Sequence, residues 1–408
     1  MKHFSTLIAA LTALSINAQP VNDIVTTGPG YATQVWYDMA NGEAGSAPLN
    51  NWDIAFEIPG MTAAIRINEQ KGVRLYQAPF VVSEWADVDT AGMAENWSLL
   101  HDDPANWSRG AFNTLTDNEF DLGWGIYNFI THVVSGDSIY VIALADDTYK
   151  KLIIDHLASG TYQFTFADID GSNETTRQIA KSNFVDKYFA YYDMENDQIR
   201  DREPFKTEWD LTFTKYVEFI GDGLMPYGVT GILHNPAATV AEASGVAPEE
   251  ADPFGFEYSS DINTIGYDWK SFDFEQGYVL AEDLSFFVAT PEGDIYQLVM
   301  TGFEGASTGV YEFTVELASP AGLADAARDR FELYPNPANG QRVTFNWNAP
   351  DFDRVEVYSN TGALVLSREL TDAGGRFEMD LASLQNGLYV VRLSGNAGVA
   401  SRKLVVTR

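Results

Sequence analysis

The strongest constraint on this chain is that one motif occurs twice. Tyr37-Asp38-Met39 is followed, after a polar interval, by Trp52-Asp53-Ile54-Ala55-Phe56; downstream, Tyr192-Asp193-Met194 is followed by Trp209-Asp210-Leu211-Thr212-Phe213. The copies lie 155 residues apart at the tyrosine and 157 at the tryptophan. A second pair keeps the register: Gly160-Thr161-Tyr162-Gln163-Phe164-Thr165 matches Gly309-Val310-Tyr311-Glu312-Phe313-Thr314 at a spacing of 149. A period this long means duplicated domains, because the units of a solenoid run only about 20–50 residues. Trp52, Ile54 and Phe56 alternate with Asp53, Ala55 and Glu57, which predicts a half-buried strand. Trp209, Leu211 and Phe213 repeat the pattern, so each Trp-Asp segment is expected to nucleate the core of its own repeat.

At 408 residues the chain has room for two or three domains. It carries 25 Lys+Arg against 58 Asp+Glu, a formal net charge of −33. That balance argues against nucleic acid and anionic lipid as partners, since both reward clustered cations. With 13% aromatic residues the acidity reads as a solvated folded surface, not disorder. Cysteine is absent, which excludes disulfides, Cys-ligated metals, a thiol nucleophile and a lipidated N-terminal cysteine. Met1-Lys2-His3, the apolar run from Leu7 to Leu14 and the exit at Ala18-Gln19 read as a cleaved secretory signal over residues 1–18. No later window offers the roughly 20 apolar residues of a membrane span.

The rest of the chain alternates short β-branched and aromatic runs with turn residues, and long helical patterns are missing. The expected fold is all-β: two duplicated antiparallel domains, 19–170 and 188–317, joined by a linker at 171–187. A flexible linker at 318–330 then leads into a small C-terminal Ig-like sandwich, 331–408, with Asn-Gly and Thr-Gly turns. Ala326 to Arg408 holds 10 basic and 9 acidic residues, leaving 14 and 49 for the remainder once Lys2 is set aside. The excess negative charge therefore sits in the repeats.

The tail's words are Leu333-Tyr334-Pro335-Asn336-Pro337-Ala338-Asn339-Gly340, Val355 to Gly362, Asn386-Gly387-Leu388-Tyr389, and Lys403-Leu404-Val405-Val406. In order and wording they resemble the type A C-terminal sorting domain of type IX secretion substrates from Bacteroidetes. The resemblance implies passage across the outer membrane through the type IX machinery, and a final place on the cell surface or outside it. It makes Tyr334, Pro335, Asn336, Pro337, Gly340, Asn386, Gly387, Leu388 and Tyr389 the sorting motif. The repeats in turn resemble the HmuY family of haem-binding surface proteins. The residues that carry this are Trp52 to Phe56, Ile65-Arg66-Ile67-Asn68, Gly123-Trp124 with Tyr127-Asn128, Thr131-His132-Val133-Val134 and Tyr140 to Leu152 in the first copy. Trp209 to Phe213, Val229 to Asn235 and Tyr296-Gln297-Leu298 carry it in the second. The chain departs from the family in being a cysteine-free tandem with a sorting tail.

Haem iron takes axial His, Met, Cys or Tyr donors. Past the signal the histidines are His101, His132, His156 and His234. His132 and His156 bracket the hairpin region where the resemblance implies ligands, and they are the haem-binding pair expected. The second copy lacks histidines at matching positions, with Gly305 opposite His156. Met225 and Met300 are soft donors or core filler, and His234 reads as a loop residue. Gly305-Ala306-Ser307-Thr308-Gly309 has the spacing of a nucleophile elbow, but it precedes a strand, whereas the elbow needs a strand-to-helix turn. Asp168 to Glu174 is either a calcium loop or an acidic linker. The expectation is an exported, non-enzymatic ligand-binding protein with haem or another porphyrin as first ligand. The alternative is a structural or adhesive surface protein that binds glycan or protein.

Overall fold

The computed structural model describes residues 20–60, 62–221, 225–319, 331–338, 340, 342–347, 352–359, 364–370, 376–382, 384–395 and 398–407. The expected signal, 1–18, and most of the second linker lie outside the described residues. Two compact units result: one holds both repeats through Ala318, except 292–295, and the other holds the C-terminal region. Both are built from antiparallel strands, so the protein is all-β; the α-helix Met93–Asn96 is a single turn.

The two repeats exchange strands. Ile54–Glu57, which follows the first Trp-Asp, pairs with Phe189–Asp193 of the second repeat, Ile54 opposite Tyr192. Leu211–Ile220, which follows the second Trp-Asp, pairs reciprocally with Thr33–Asp38 of the first, Leu211 opposite Tyr37. Two clamps hold the exchange. Asp53 Oδ2 accepts from Met194 N at 2.7 Å while Asp53 N donates to Tyr192 O at 2.9 Å. Asp210 Oδ2 accepts from Met39 N at 2.9 Å while Asp210 N donates to Tyr37 O at 2.8 Å. The repeated aspartate thus fixes the Tyr-Asp-Met turn of the opposite copy.

Each core is consequently mixed. The first gathers Ile54, Phe56, Tyr162 and Phe164 with Ala190, Tyr192 and Met194 of the second copy. The second gathers Leu211, Phe213, Tyr311 and Phe313 with Val35, Tyr37 and Met39 of the first. Matching aromatic contacts line both: Phe164 meets Phe56 and Tyr192 at 5.0 Å each, and Phe313 meets Phe213 at 5.4 Å and Tyr37 at 5.2 Å. The strand Val21–Thr26 completes the second lobe by pairing with Val310–Ser319. The cores therefore divide the chain near residue 50 and after the hairpin Phe189–Asp193/Gln198–Arg200, not at the 170/188 linker expected from the repeat. A two-residue period shows which face of a strand is buried, but not which segment covers it.

Trp52 and Trp209 also differ from expectation. The strands begin two residues later, so the alternation does not extend back to the tryptophans. Trp52 packs beside Ala55, Phe189 and Tyr191, and Trp209 with Trp36 and Ala47, in the seam between the lobes. The repeated glycine does have the role its position implies. Gly160 and Gly309 both take positive φ, +72° and +70°, to turn into the strands Thr161–Asp168 and Val310–Ser319.

In the first lobe the main sheet runs, from edge to edge, Thr175–Ala180, Thr161–Asp168, Tyr149–Ala158, Ser138–Ala143, Arg74–Val81 and Leu99–Leu100. The hairpin Gly125–Asn128/Val133–Gly136 joins it alongside Tyr149–Ala158. In the second lobe the order is Val21–Thr26, Val310–Ser319, Ile295–Phe303, Leu284–Ala289, Thr239–Ser244, with a separate hairpin Lys270–Asp273/Gly277–Leu280. The C-terminal unit has two sheets. One is Phe331–Tyr334, Arg342–Trp347, Arg376–Asp380; the other is Leu364–Glu369, Phe352–Ser359, Gly387–Gly395, Gly398–Val406. Val343, Phe345, Val355, Val391 and Leu404 close the core between them.

Candidate functional site

The seam between the lobes is where apolar and charged groups converge. Arg202, 9% exposed, has its guanidinium 5.2 Å from the Trp36 ring, 5.9 Å from Trp52 and 5.0 Å from Tyr191. It donates to Gln34 Oε1, Asn51 Oδ1 and Pro48 O at 2.8, 2.9 and 3.0 Å. Burial pushes its pKa down. Beside it Glu203 accepts from Phe189 N at 2.9 Å and Tyr191 OH at 2.8 Å, yet burial still pushes its carboxyl up to about 7.

Two hollows lie along this seam. The inner cleft, about 80 Å³, is bounded by Trp52, Trp107 and Tyr191 on one side and Thr214, Lys215 and Tyr216 on the other. Trp52 Nε1 and Tyr216 OH are both buried without a hydrogen-bond partner. The outer groove, about 570 Å³, is walled by Leu99, Leu100, Leu115 and Phe219 with His101 and Arg109 among them. Asp102 and Pro104 border both hollows. Clefts where two lobes meet, with apolar walls and converging polar groups, are a common place for a small-ligand site.

The polar groups of the groove are held from behind. Glu69 Oε1 lies 2.5 Å from His101 Nδ1, a contact that in a neutral imidazole keeps the proton on Nδ1 and the lone pair on Nε2. The ring stands edge-on to Phe219 at 5.5 Å. Asp102 accepts from Ala111 N at 2.7 Å and Ile67 N at 3.3 Å and lies 3.4 Å from Arg66 Nε. Burial pushes its carboxyl up to about 7 against the pull of Arg66. Arg66 in turn caps the 103–107 loop through the carbonyls of Asp103, Asn106 and Trp107, and stacks 5.2 Å from the Trp107 ring. A directed imidazole nitrogen and a carboxyl that titrates near neutrality can bind a ligand and respond to its charge.

His132 lies in the turn before the strand Val133–Gly136, and His156 lies in the strand that pairs with it. In the ladder His156 stands opposite Ser135 and Gln163 on the solvent side, while Leu157, Val134 and Tyr162 form the core side. Tyr127 stands opposite Val134 and packs on the core; its OH lies 2.7 Å from His132 Nδ1. His132 also has φ +56° and closes the hairpin turn, donating its N–H to Asn128 O.

The other readings find plain structural places. His234 is buried at the end of Met225–His234 with its ring nitrogens beside Asn235 O and Asp261 O, and burial lowers its pKa. Met225 is exposed, and Met300 packs on the second core. Gly305–Ser307 is a 3-10 turn before a strand, with Ser307 Oγ donating to Glu304 O. In the 168–174 loop, Asp168 is held by Lys150 Nζ at 2.8 Å and Asp170 by Ser172, which pulls both carboxyls below the usual range. Among the described residues no cluster of three or more His, Cys, Asp or Glu is placed to hold a metal ion.

Two of the expected sorting stretches lie on either side of the last strand. Asn386-Gly387-Leu388-Tyr389 opens the strand Gly387–Gly395, which pairs with Gly398–Val406, Gly387 opposite Val406. On the other side of that last strand Asn336 Oδ1 accepts from Val405 N at 2.9 Å, and Ala338 bridges Val406 in parallel. Tyr389 is buried and donates to Gln385 O at 2.9 Å, whereas Tyr334, Leu388 and Gly340 are exposed. Both halves of the motif therefore grip the C-terminal strand.

Residues 332–407 match the secretion system C-terminal sorting domain family. This region is a type IX sorting domain, and the protein is exported by that machinery to the cell surface or beyond. No curated protein matches the chain. Among solved structures it is similar to a biofilm-associated protein's BSP domain at 9% identity and a TM-score of 0.17, covering 100% of this chain and 84% of that one. A second similarity, at 8% identity and 0.14, is to the extracellular domain of a one-component system from B. thetaiotaomicron, covering 66% and 48%. At those scores neither likeness bears on fold or function.

Proposed function

We propose that this exported protein captures a small, largely apolar ligand in the groove between its lobes and acts by binding rather than turnover. The observation that carries the reading is His101: the Glu69 carboxylate holds its Nδ1, and the residue lines the 570 Å³ groove together with Leu99, Leu115 and Phe219. Metal-ligating histidines are commonly oriented by such a carboxylate. Haem is the first candidate through the HmuY resemblance, with His101 as its ligand in place of His132, whose Nδ1 meets Tyr127 OH, and His156, which stands opposite Ser135 in the ladder. His101 would hold the iron, Leu99, Leu115 and Phe219 would cover the ring, and Arg109 would meet a carboxylate at its edge. A second reading, adhesive contact with protein or glycan, is favoured by Phe129 and Phe274, 66% and 97% exposed.

Titration of the purified chain from Gln19 with haem, followed at the Soret band, tests the assignment. A saturable band lost in His101→Ala but kept in His132→Ala and His156→Ala is expected. Loss in either of the latter two would move the site to the hairpin. Absence of any band beyond a non-binding control would remove haem and leave the adhesive reading.

A further inference from the structure

The hairpins Gly125–Asn128/Val133–Gly136 and Lys270–Asp273/Gly277–Leu280 are the same device in the two lobes. Trp124 and Trp269, 145 residues apart, are fully buried and anchor them through Nε1 to Ala63 O at 3.0 Å and Gly266 O at 3.2 Å. Asn128 and Asp273, again 145 apart, each receive two backbone N–H groups on one side-chain oxygen: Ile130 and Thr131 in the first, Glu275 and Gln276 in the second. His132 and Gly277, at the same spacing, close the turns with φ +56° and +83°. Each turn therefore lifts one phenylalanine to its apex, Phe129 and Phe274.

Neither ring is buried in its lobe. Phe129 has Phe120 at 6.2 Å, itself 41% exposed, and Ile130 beside it is 75% exposed. Phe274 has Phe272 at 5.7 Å, which in turn meets Tyr278 at 5.2 Å. Isolated exposed apolar residues need no explanation, but the same apex built twice from the same turn does. Surrounding charge narrows the partner. Residues 110–149 and 271–319 contain no Lys or Arg, against six and nine acidic residues. Asp117 and Glu119 are exposed next to Phe120, and Asp273 and Glu275 flank Phe274. The side-chain oxygens of Asn128 and Asp273 are occupied within the turns, so the carboxylates left outward are those of the neighbouring Asp117, Glu119 and Glu275.

We infer that the two apices dock a polypeptide partner that presents apolar surface rimmed by Lys and Arg. Rings would enter the partner's apolar surface while the carboxylates pair with its cations, an arrangement that anionic lipid reverses. This inference stands whether or not the groove takes a ligand. Its test is fluorescence anisotropy with the purified chain and a labelled 14-residue amphipathic peptide of Leu and Lys. The controls are its Leu/Glu twin, phosphatidylcholine vesicles and a maltohexaose competitor. Saturable Leu/Lys binding, weakened about tenfold or more in Phe129→Ser/Phe274→Ser with an unchanged melting temperature, is expected of aromatic anchors. Equal binding by the double variant would mean charge alone and overturn the inference. So would equal binding of the Leu/Glu peptide or the vesicles, or displacement by the sugar.

Discussion

Removing one aspartate clamp is the sharpest test of the strand exchange. Asp53 has a fully buried carboxylate, with one oxygen on Met194 N at 2.7 Å and the other on Lys71 Nζ at 2.8 Å. Lys71 is also nearly buried, its side chain 6% exposed, with Glu195 as second partner at 3.3 Å. Asp53→Ala leaves an orphaned N–H, costing about 1–3 kcal/mol, and breaks a buried ion pair, costing about 3–5 kcal/mol. These overlap, and Glu195 keeps part of the charge balance, so the expected loss is about 3–5 kcal/mol in total. Asp210→Ala orphans Met39 N and should cost at least about 1–3 kcal/mol. Urea unfolding followed by the seam tryptophans reads both. The C-terminal unit is a separate compact body with its own Trp347, so any transition of its own must be fitted apart. A loss below about 1 kcal/mol for Asp53→Ala would refute the claim that these carboxylates hold the opposite copy's turn.

Asp102 and Glu203 have folded pKa values raised to about 7, so the native protein retains protons that the unfolded chain releases near pH 4. Their contribution is complete below about pH 4 and is lost as pH rises through 7; melting temperatures across pH 5 to 8 should fall less steeply in Asp102→Asn and Glu203→Gln than in the parent. His132→Gly should leave the melting temperature unchanged or slightly higher, because glycine suits the left-handed turn position that Gly277 fills in the other lobe; a clear drop would give His132 a role beyond the turn. Tyr389→Ala removes a buried ring and its bond to Gln385 O, which should destabilise the sorting domain by about 3–5 kcal/mol and leave the chain inside the outer membrane when cell fractions are blotted.

The all-β architecture, the duplication and the sorting tail were legible because each is written in short-range patterns. Tyr162, Phe164 and Phe166 are buried and alternate with the half-buried Thr161, Gln163 and Thr165 as a two-residue period requires. The exchange was not legible, since Ile54 and Phe56 would bury the same faces under a strand from either copy. His101 gave no signal because it follows a two-residue strand, Leu99–Leu100, and owes its orientation to Glu69, 32 residues earlier. His132 and His156 looked paired because spacing counts residues along the chain, whereas their places are set by the hairpin turn and by the register between strands.

The pairing of Val21–Thr26 with Val310–Ser319 makes the first strand wait for the last. Neither lobe can close while the chain is half made: the first core lacks Tyr192 and Met194 until the second copy emerges, and the second lacks its edge until residue 315 is available. Such distant contacts slow folding and leave apolar strands open for longer. A fragment ending at the 171–187 linker would expose the Ile54–Glu57 edge and the unmatched Tyr37 strand together. The duplication is therefore an indivisible pair, and a truncation anywhere between the copies yields two unfinished halves rather than one working domain.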